Sequence, residues 1–209
     1  VNMKILAING SERSRGSTWQ AAQEVASHAE RRGCRTEVIN LAEKRVLACD
    51  CGTCNSRPDP CPVDDSVGEV IAAMIDADAV VFAAPVHGFG LSSLMQTFIE
   101  RAGVGHLRFT RPLTNTIGAA VVVGRRYGHL DVHAQLLHNL LLNRFILVGS
   151  GFPVTIHSGG EQGILSDTEG MDALRRTVDR IVDVGTALIE SGTRLPRPEE
   201  VERRVGRTN

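Results

Sequence analysis

The chain has 209 residues, 42% apolar and 22% charged, enough to bury one full core; this predicts one domain over residues 1–193 and an Arg-, Pro- and Glu-rich tail at 194–209. A formal charge of −1 gives no overall basic field for nucleic acid or acidic lipid, 4% aromatics disfavour a base-stacking platform, and no apolar run reaches the about 18 residues of a membrane span. Because 21 of the 23 basic residues are Arg, specific anion sites stay open. The first residues pass straight into an apolar strand with nothing that reads as a secretory signal, so a cytoplasmic protein is expected.

In chain order, the apolar stretches at residues 3–8, 36–41, 79–84, 117–123 and 145–148 are short and rich in β-branched side chains, which predicts five strands. The unbroken runs VVFAA and AAVVV fit strands covered on both faces, as in a parallel sheet. Longer patterns at 17–32, 66–77, 92–102, 131–143 and 170–190 predict the intervening helices. Ser17 and Thr18 can cap the first helix, Asp64, Asp65 and Ser66 the second, and Gly33 can end the first with a positive φ. The alternation gives an α/β, doubly wound sheet, for which right-handed crossovers leave two common strand orders open.

The loop after the first strand reads NGSERSRGST over residues 9–18 and carries neither a Gly-x-Gly-x-x-Gly triplet nor a Walker lysine. It does place the hydroxyls of Ser11, Ser14, Ser17 and Thr18 and the guanidinium groups of Arg13 and Arg15 between a buried strand and a helix start. Helix N–H groups, hydroxyl donors and one charge-assisted pair suit a monophosphate; the plain alternative is a polar, capped turn. Two further loops leave strand ends where open α/β sheets place ligands. In Pro85-Val86-His87-Gly88-Phe89-Gly90, the glycines permit close backbone approach, and His87 or Phe89 can lie against a planar ring. In Gly124-Arg125-Arg126-Tyr127-Gly128, two guanidinium groups and the single tyrosine can meet an anion and a ring edge. Loops after strands one, three and four converge on one crevice, which points to a planar, phosphorylated cofactor.

GSERSRGST resembles the GSxRxxGxT loop of the NADPH-dependent FMN reductase family within the flavodoxin-like superfamily, and PVHGFG followed by LSSLMQTFIERAG resembles that family's Pro-x-x-x-Gly loop and helix. AAVVVGRRYGH, LLLNRFILVGSGFP and then Asp167-Thr168-Glu169-Gly170 are similar to the iron–sulfur flavoprotein branch, so the resemblance runs to about residue 190. It implies a flavodoxin-like five-stranded parallel sheet of order 2-1-3-4-5 with helices on both faces. It further implies that Ser11, Arg13, Ser17 and Thr18 hold the FMN phosphate and that Pro85, Val86, His87, Gly88, Phe89 and Gly90 line the isoalloxazine. Gly124, Arg125, Tyr127 and Gly128 would approach the ring or ribityl chain. Relatives often carry an aromatic residue where this chain has His87, and they form homodimers or homotetramers that complete the flavin pocket. NAD(P)H is an implied cosubstrate, with a small molecule or a redox protein as the other partner. The branch also includes electron carriers and biosynthetic dehydrogenases of carboxylated cyclohexadienes of the amino-deoxyisochorismate type.

Cys49, Cys51, Cys54 and Cys61 give a C-x-C-x2-C-x6-C spacing in a loop at residues 48–63. Clustered cysteines in a reducing compartment point to metal or redox chemistry rather than structural disulfides. Four thiolates so close together need a cation, and an iron–sulfur cluster satisfies all four. The branch carries a compact motif here that usually begins C-x2-C-x2-C; this chain has Ala48 where the first ligand is expected and Cys49 beside it. With the resemblance, a 4Fe–4S cluster on the four cysteines is the first choice; tetrahedral zinc, a Cys51/Cys54 dithiol and a metal-free loop are the alternatives. His129, His133 and His138 cannot ligate one ion from one helix, because His138 falls about half a turn off the face of His129. Asp167 and Glu169 supply negative charge at the start of the last helix.

Overall fold

A computed structural model describes residues 2–49, 54, 61–104, 110–159, 162–192 and 195. The tail expected at 194–209, apart from Leu195, and residues 50–53 and 55–60 of the cysteine loop lie outside them. The apolar runs form a parallel sheet in which β1 (Lys4–Asn9) pairs with β2 (Arg35–Asn40) on one side and β3 (Ala79–His87) on the other, and β3 pairs in turn with β5 (Ile117–Gly124). Side chains alternate between faces. Ile5, Ala7, Val81 and Val121 pack beneath α1 (Ser17–Arg31) and α5 (Thr168–Glu190). Leu6, Ile8, Phe82 and Val122 pack beneath α2 (Val67–Asp76), α3 (Ser93–Ile99) and α4 (His129–Leu142). No described helix is long and apolar enough to cross a membrane.

The strand order is the expected one with its fifth position divided. Two short strands, β6 (Ile146–Leu147) and β7 (Val154–His157), both run along β5: β6 meets Ile117 and Gly118, and β7 meets Val121 to Gly124. The sequence predicts one strand over 145–148. Gly149, Gly151 with φ of 102° and Pro153 interrupt the pairing, and the four-residue β7 beyond them is too short to signal itself.

Two other boundaries move for local reasons. The third strand continues to His87, past the predicted end at 84, because it turns back in a tight hairpin onto β4 (Gly90–Leu91), with Val86 opposite Leu91 and His87 opposite Gly90. The two turn residues, Gly88 and Phe89, both have positive φ (54° and 68°), as the mirror-type hairpin turn requires. The third helix, predicted over 92–102, is α-helical only to Ile99 and continues as a π-turn over Glu100–Val104.

Helices α1 and α5 are tied by a charged seam in which His28 Nε2 lies 2.9 Å from Asp179 Oδ1, Arg32 bonds both Asp179 and Asp183, and Arg175 reaches Glu24 at 2.8 Å. Burial would raise the Asp179 carboxyl, but His28 and Arg32 outweigh it and hold it below the usual carboxylate value. A depressed native value stabilises the fold above the unfolded-state value and ceases to do so as pH falls through the native one. Asp179→Asn is therefore expected to cost under about 1 kcal/mol at neutral pH, this being a solvent-screened pair, with the difference from wild type shrinking in urea melts as pH falls below the ordinary carboxylate range. A second comparison probes the core. A Cβ at Gly118 would stand 2.9 Å from the Phe145 ring and 3.1 Å from Leu140, whereas at Gly185 it would meet the flexible end of Met3. Gly118→Ala is expected to lose about 1–3 kcal/mol by overpacking. Gly185→Ala should stay near neutral, because a gain of about 1 kcal/mol in helix propensity offsets the displacement of Met3.

Candidate cofactor site

Parallel pairing brings the carboxyl ends of β1, β3, β5 and β7 to one crest. The first loop is held there from three sides. The Asn9 amide donates to Asn40 Oδ1 at 2.9 Å, and the Asn40 amide donates to the Ser14 carbonyl at 2.9 Å, so the end of β2 braces the loop after β1. The Ser92 hydroxyl donates to the Gly10 carbonyl at 2.7 Å. A Cβ on Gly10 would lie 2.5 Å from Met95, so this glycine is required by the packing of α3. Ser11 is buried; its backbone N–H bonds Asn9 Oδ1 at 3.2 Å, and its hydroxyl accepts the Arg13 N–H at 3.1 Å. Helix α1 then begins at Ser17 with Gly16 as its N-cap and no side-chain capping bond. Its first N–H groups keep their donor capacity, beside the half-buried Ser17 and the buried Thr18. The predicted capping by Ser17 and Thr18 is thus not what the helix start shows; an uncapped N-terminus beside hydroxyls fits the phosphate of FMN. Arg13 and Arg15 are exposed, the latter 5.7 Å over the Trp19 ring.

The second and third loops meet. A Cβ on Gly128 would fall 2.8 Å from the Phe89 carbonyl, so the two loop backbones meet there, and one on Gly124 would fall 2.8 Å from the His129 ring and 3.0 Å from the Val86 side chain. Phe89 and Tyr127 stand with ring centroids 6.4 Å apart and remain 71% and 64% exposed, leaving an uncovered aromatic rim. Pro85 is buried, Val86 and Gly90 are half-buried, and His87, Gly88, Arg125 and Arg126 are exposed. His129 is buried beneath this rim, its Nε2 3.3 Å from the Ile156 carbonyl and its ring 4.7 Å from that of His157. Asp167 caps α5 through the Gly170 N–H at 2.9 Å and also accepts the His157 N–H at 2.7 Å.

Glu12 connects the loop after β1 to the hairpin at 85–90 and the start of α3. One carboxylate oxygen accepts the Ser93 hydroxyl at 3.0 Å and the Leu94 N–H at 3.2 Å, and the other lies 3.4 Å from His87 Nδ1. Burial pushes this carboxyl up, but its own backbone N–H, those two donors and His87 together hold it below the usual value. The His87–Glu12 contact, like the Asn9–Asn40 brace, has no local motif; the only sequence sign is a polar residue at each strand end.

The cysteine loop leaves the sheet after β2, and its two stems are drawn together: Ser66 N–H bonds the Arg45 carbonyl at 2.8 Å, and Leu47 N–H bonds Asp65 at 2.9 Å. Arg101, from the π-turn, enters between them. Its guanidinium donates to the Leu47 carbonyl at 3.0 Å, to the Asp65 carboxylate and to Cys61 Sγ at 3.5 Å. Burial alone would raise the Asp65 carboxyl, yet Arg101 and the Leu47 and Val67 N–H groups hold it below the usual value. Cys49 and Cys54 are half-buried, Cys61 is exposed, none of the three is in a disulfide, and Cys51 lies outside the described residues. Among the described residues no three His, Cys, Asp or Glu side chains are gathered into a metal site. Sulfur donors are of the kind that hold an iron–sulfur cluster, and one of them, Cys61 Sγ, accepts from the buried Arg101 guanidinium.

Residues 3–158 match the family model for NADPH-dependent FMN reductase. An iron–sulfur flavoprotein of Methanocaldococcus jannaschii is 34% identical over 161 residues, covering 76% of this chain and 81% of that one. A second iron–sulfur flavoprotein of the same organism is 26% identical over 192 residues, covering 87% and 96%. Among solved structures, RosB with bound 8-demethyl-8-formylriboflavin-5′-phosphate is similar in fold, with a TM-score of 0.69 at 17% identity over 91% of this chain and 82% of that one. With a family match over residues 3–158 and an iron–sulfur flavoprotein 34% identical over three quarters of the chain, the chain belongs to the NADPH-dependent FMN reductase family, in its iron–sulfur flavoprotein branch.

Proposed function

We propose that this flavoprotein is an FMN-dependent oxidoreductase with a 4Fe–4S cluster on Cys49, Cys51, Cys54 and Cys61, passing electrons between NAD(P)H or a small organic substrate and an acceptor. The observation that carries the reading is the meeting of three crest loops beside an uncapped helix N-terminus. Ser11, Ser17, Thr18 and the first N–H groups of α1 bind the phosphate, and Arg13 turns inward to pair with it. Pro85 to Gly90 line one side of the ring, with the Gly88–Phe89 hairpin presenting backbone donors; Gly124, Arg125, Tyr127 and Gly128 line the other. Bound FMN supplies two-electron exchange with an organic partner, and a cysteine-held cluster supplies one-electron exchange. The exposed Arg125 and Arg126 orient an anionic partner, either a nicotinamide phosphate or the carboxylate of a cyclohexadiene substrate; the latter favours a biosynthetic dehydrogenase as the second reading. The open Phe89–Tyr127 rim is in keeping with a homodimer or homotetramer in which a neighbouring copy completes the pocket, and the expected setting is the cytoplasm.

Anaerobically purified protein is expected to show flavin bands with a broad iron–sulfur shoulder, to contain iron and sulfide, and to bleach with NADPH. Bleaching only by a carboxylated cyclohexadiene would shift the assignment to the dehydrogenase, and a colourless protein that refuses added FMN would overturn the reading. Fluorescence titration of the flavin-free protein checks the phosphate loop. Arg13→Ala removes a charge-assisted bond worth about 1.5–3 kcal/mol and should weaken FMN binding at least about tenfold. Asn40→Ala, which leaves the buried Asn9 amide and the Ser14 carbonyl without partners, should weaken it comparably without removing any group expected to touch the cofactor.

A further inference from the structure

Arg101 is buried, at 7% exposure, and the carboxylate side chain of its partner Asp65 is fully buried with it. A buried guanidinium is costly unless it is paired, and a chain retains one where its partners repay the desolvation. Each partner of Arg101 belongs to the cysteine loop: the Leu47 carbonyl at 3.0 Å on the incoming stem, the Asp65 carboxylate on the outgoing stem, and Cys61 Sγ at 3.5 Å between them. Asp65 fastens the same junction by accepting the Leu47 N–H at 2.9 Å and the Val67 N–H at 3.1 Å. The Nε of Arg101 is buried and makes no hydrogen bond, so the flavin domain contributes nothing that satisfies it. The side chain therefore looks built for the loop it crosses.

We propose that Arg101 is the positioning residue of the cysteine loop. Its guanidinium closes the two stems and donates from Nη2 to the Cys61 sulfur, presetting the fourth cluster ligand and stabilising the negative charge on that sulfur. The proposal rests on the iron–sulfur reading above. A hydrogen bond and a positive charge at a ligating sulfur favour the reduced, more negative cluster and raise its reduction potential, and such outer partners govern metal retention as strongly as orientation. The residue touches neither FMN nor substrate in this account, so its effects are confined to the loop.

The test uses the full chain, reconstituted anaerobically with ferrous iron and sulfide, as wild type, Arg101→Lys, and Arg101→Gln combined with Asp65→Asn. The double variant removes both charges, so no carboxylate is left buried and unpaired. FMN stoichiometry, iron and sulfide per chain, the rate of iron loss to a chelator and the midpoint potential of the cluster are read on each. The double variant is expected to keep its FMN, to lose iron about tenfold faster or more and to show a more negative midpoint potential, with Arg101→Lys between it and wild type. Unchanged iron retention and potential in both variants would overturn the proposal and leave the cluster reading intact. Loss of FMN together with iron in the double variant would overturn it in favour of general support of the fold. Wild-type protein that holds FMN but neither iron nor sulfide would overturn the cluster reading and this proposal with it.

Discussion

Strands buried on both faces pair in parallel and are covered by helices, and every other feature of the site follows from this arrangement. Once β1 lies between β2 and β3, with Ala7 opposite both Val38 and Val81, each carboxyl end must emerge on the same edge. The loops that carry hydroxyls, glycines, aromatic rings and cysteines are then neighbours, although they are far apart in the chain. Division of the fifth position preserves this geometry, because β7 pairs with the upper half of β5 and delivers His157 to the crest.

The crest is stiffened from below before any ligand arrives. The Asn9–Asn40–Ser14 chain, the Ser92 bond to Gly10 and the Glu12 contacts with Ser93, Leu94 and His87 join the ends of β1, β2 and β3 to the start of α3. Buried amides that satisfy one another fix the loop's path, and a loop already in place loses less conformational freedom when an anion binds. Gly10, Gly124 and Gly128 serve the same end by contact, each filling a space where a Cβ would strike Met95, Val86 or the Phe89 carbonyl.

Charge is handled differently in the two parts of the site. At the loop after β1, Arg13 and Arg15 are exposed, the latter over the Trp19 ring. At the cysteine loop Arg101 is buried and committed to fixed partners. A mobile surface cation suits an exchangeable or diffusing ligand, whereas a buried, forked one suits permanent architecture.

The sequence by itself determined the α/β class and the cysteine spacing and marked the loop after β1 as a candidate anion site, because each is written in local periodicity or in residues within a few positions of one another; the sheet order was implied only by the family resemblance. VVFAA and AAVVV read as buried strands without any partner, whereas GSERSRGST on its own leaves a phosphate loop and a polar, capped turn both open. Tertiary structure alone decided that β7 exists, that the 85–90 loop is a hairpin, and that Asn40, Glu12 and Arg101 support the site. The partners of Arg101 lie 54, 40 and 36 positions away, and the two through which Asn40 braces the loop after β1 lie 31 and 26 away. A lone arginine in a helical pattern reads as a solvated face. Only the packing of α3 and its π-turn against the stems of the cysteine loop removes it from water and makes its hydrogen bonds obligatory.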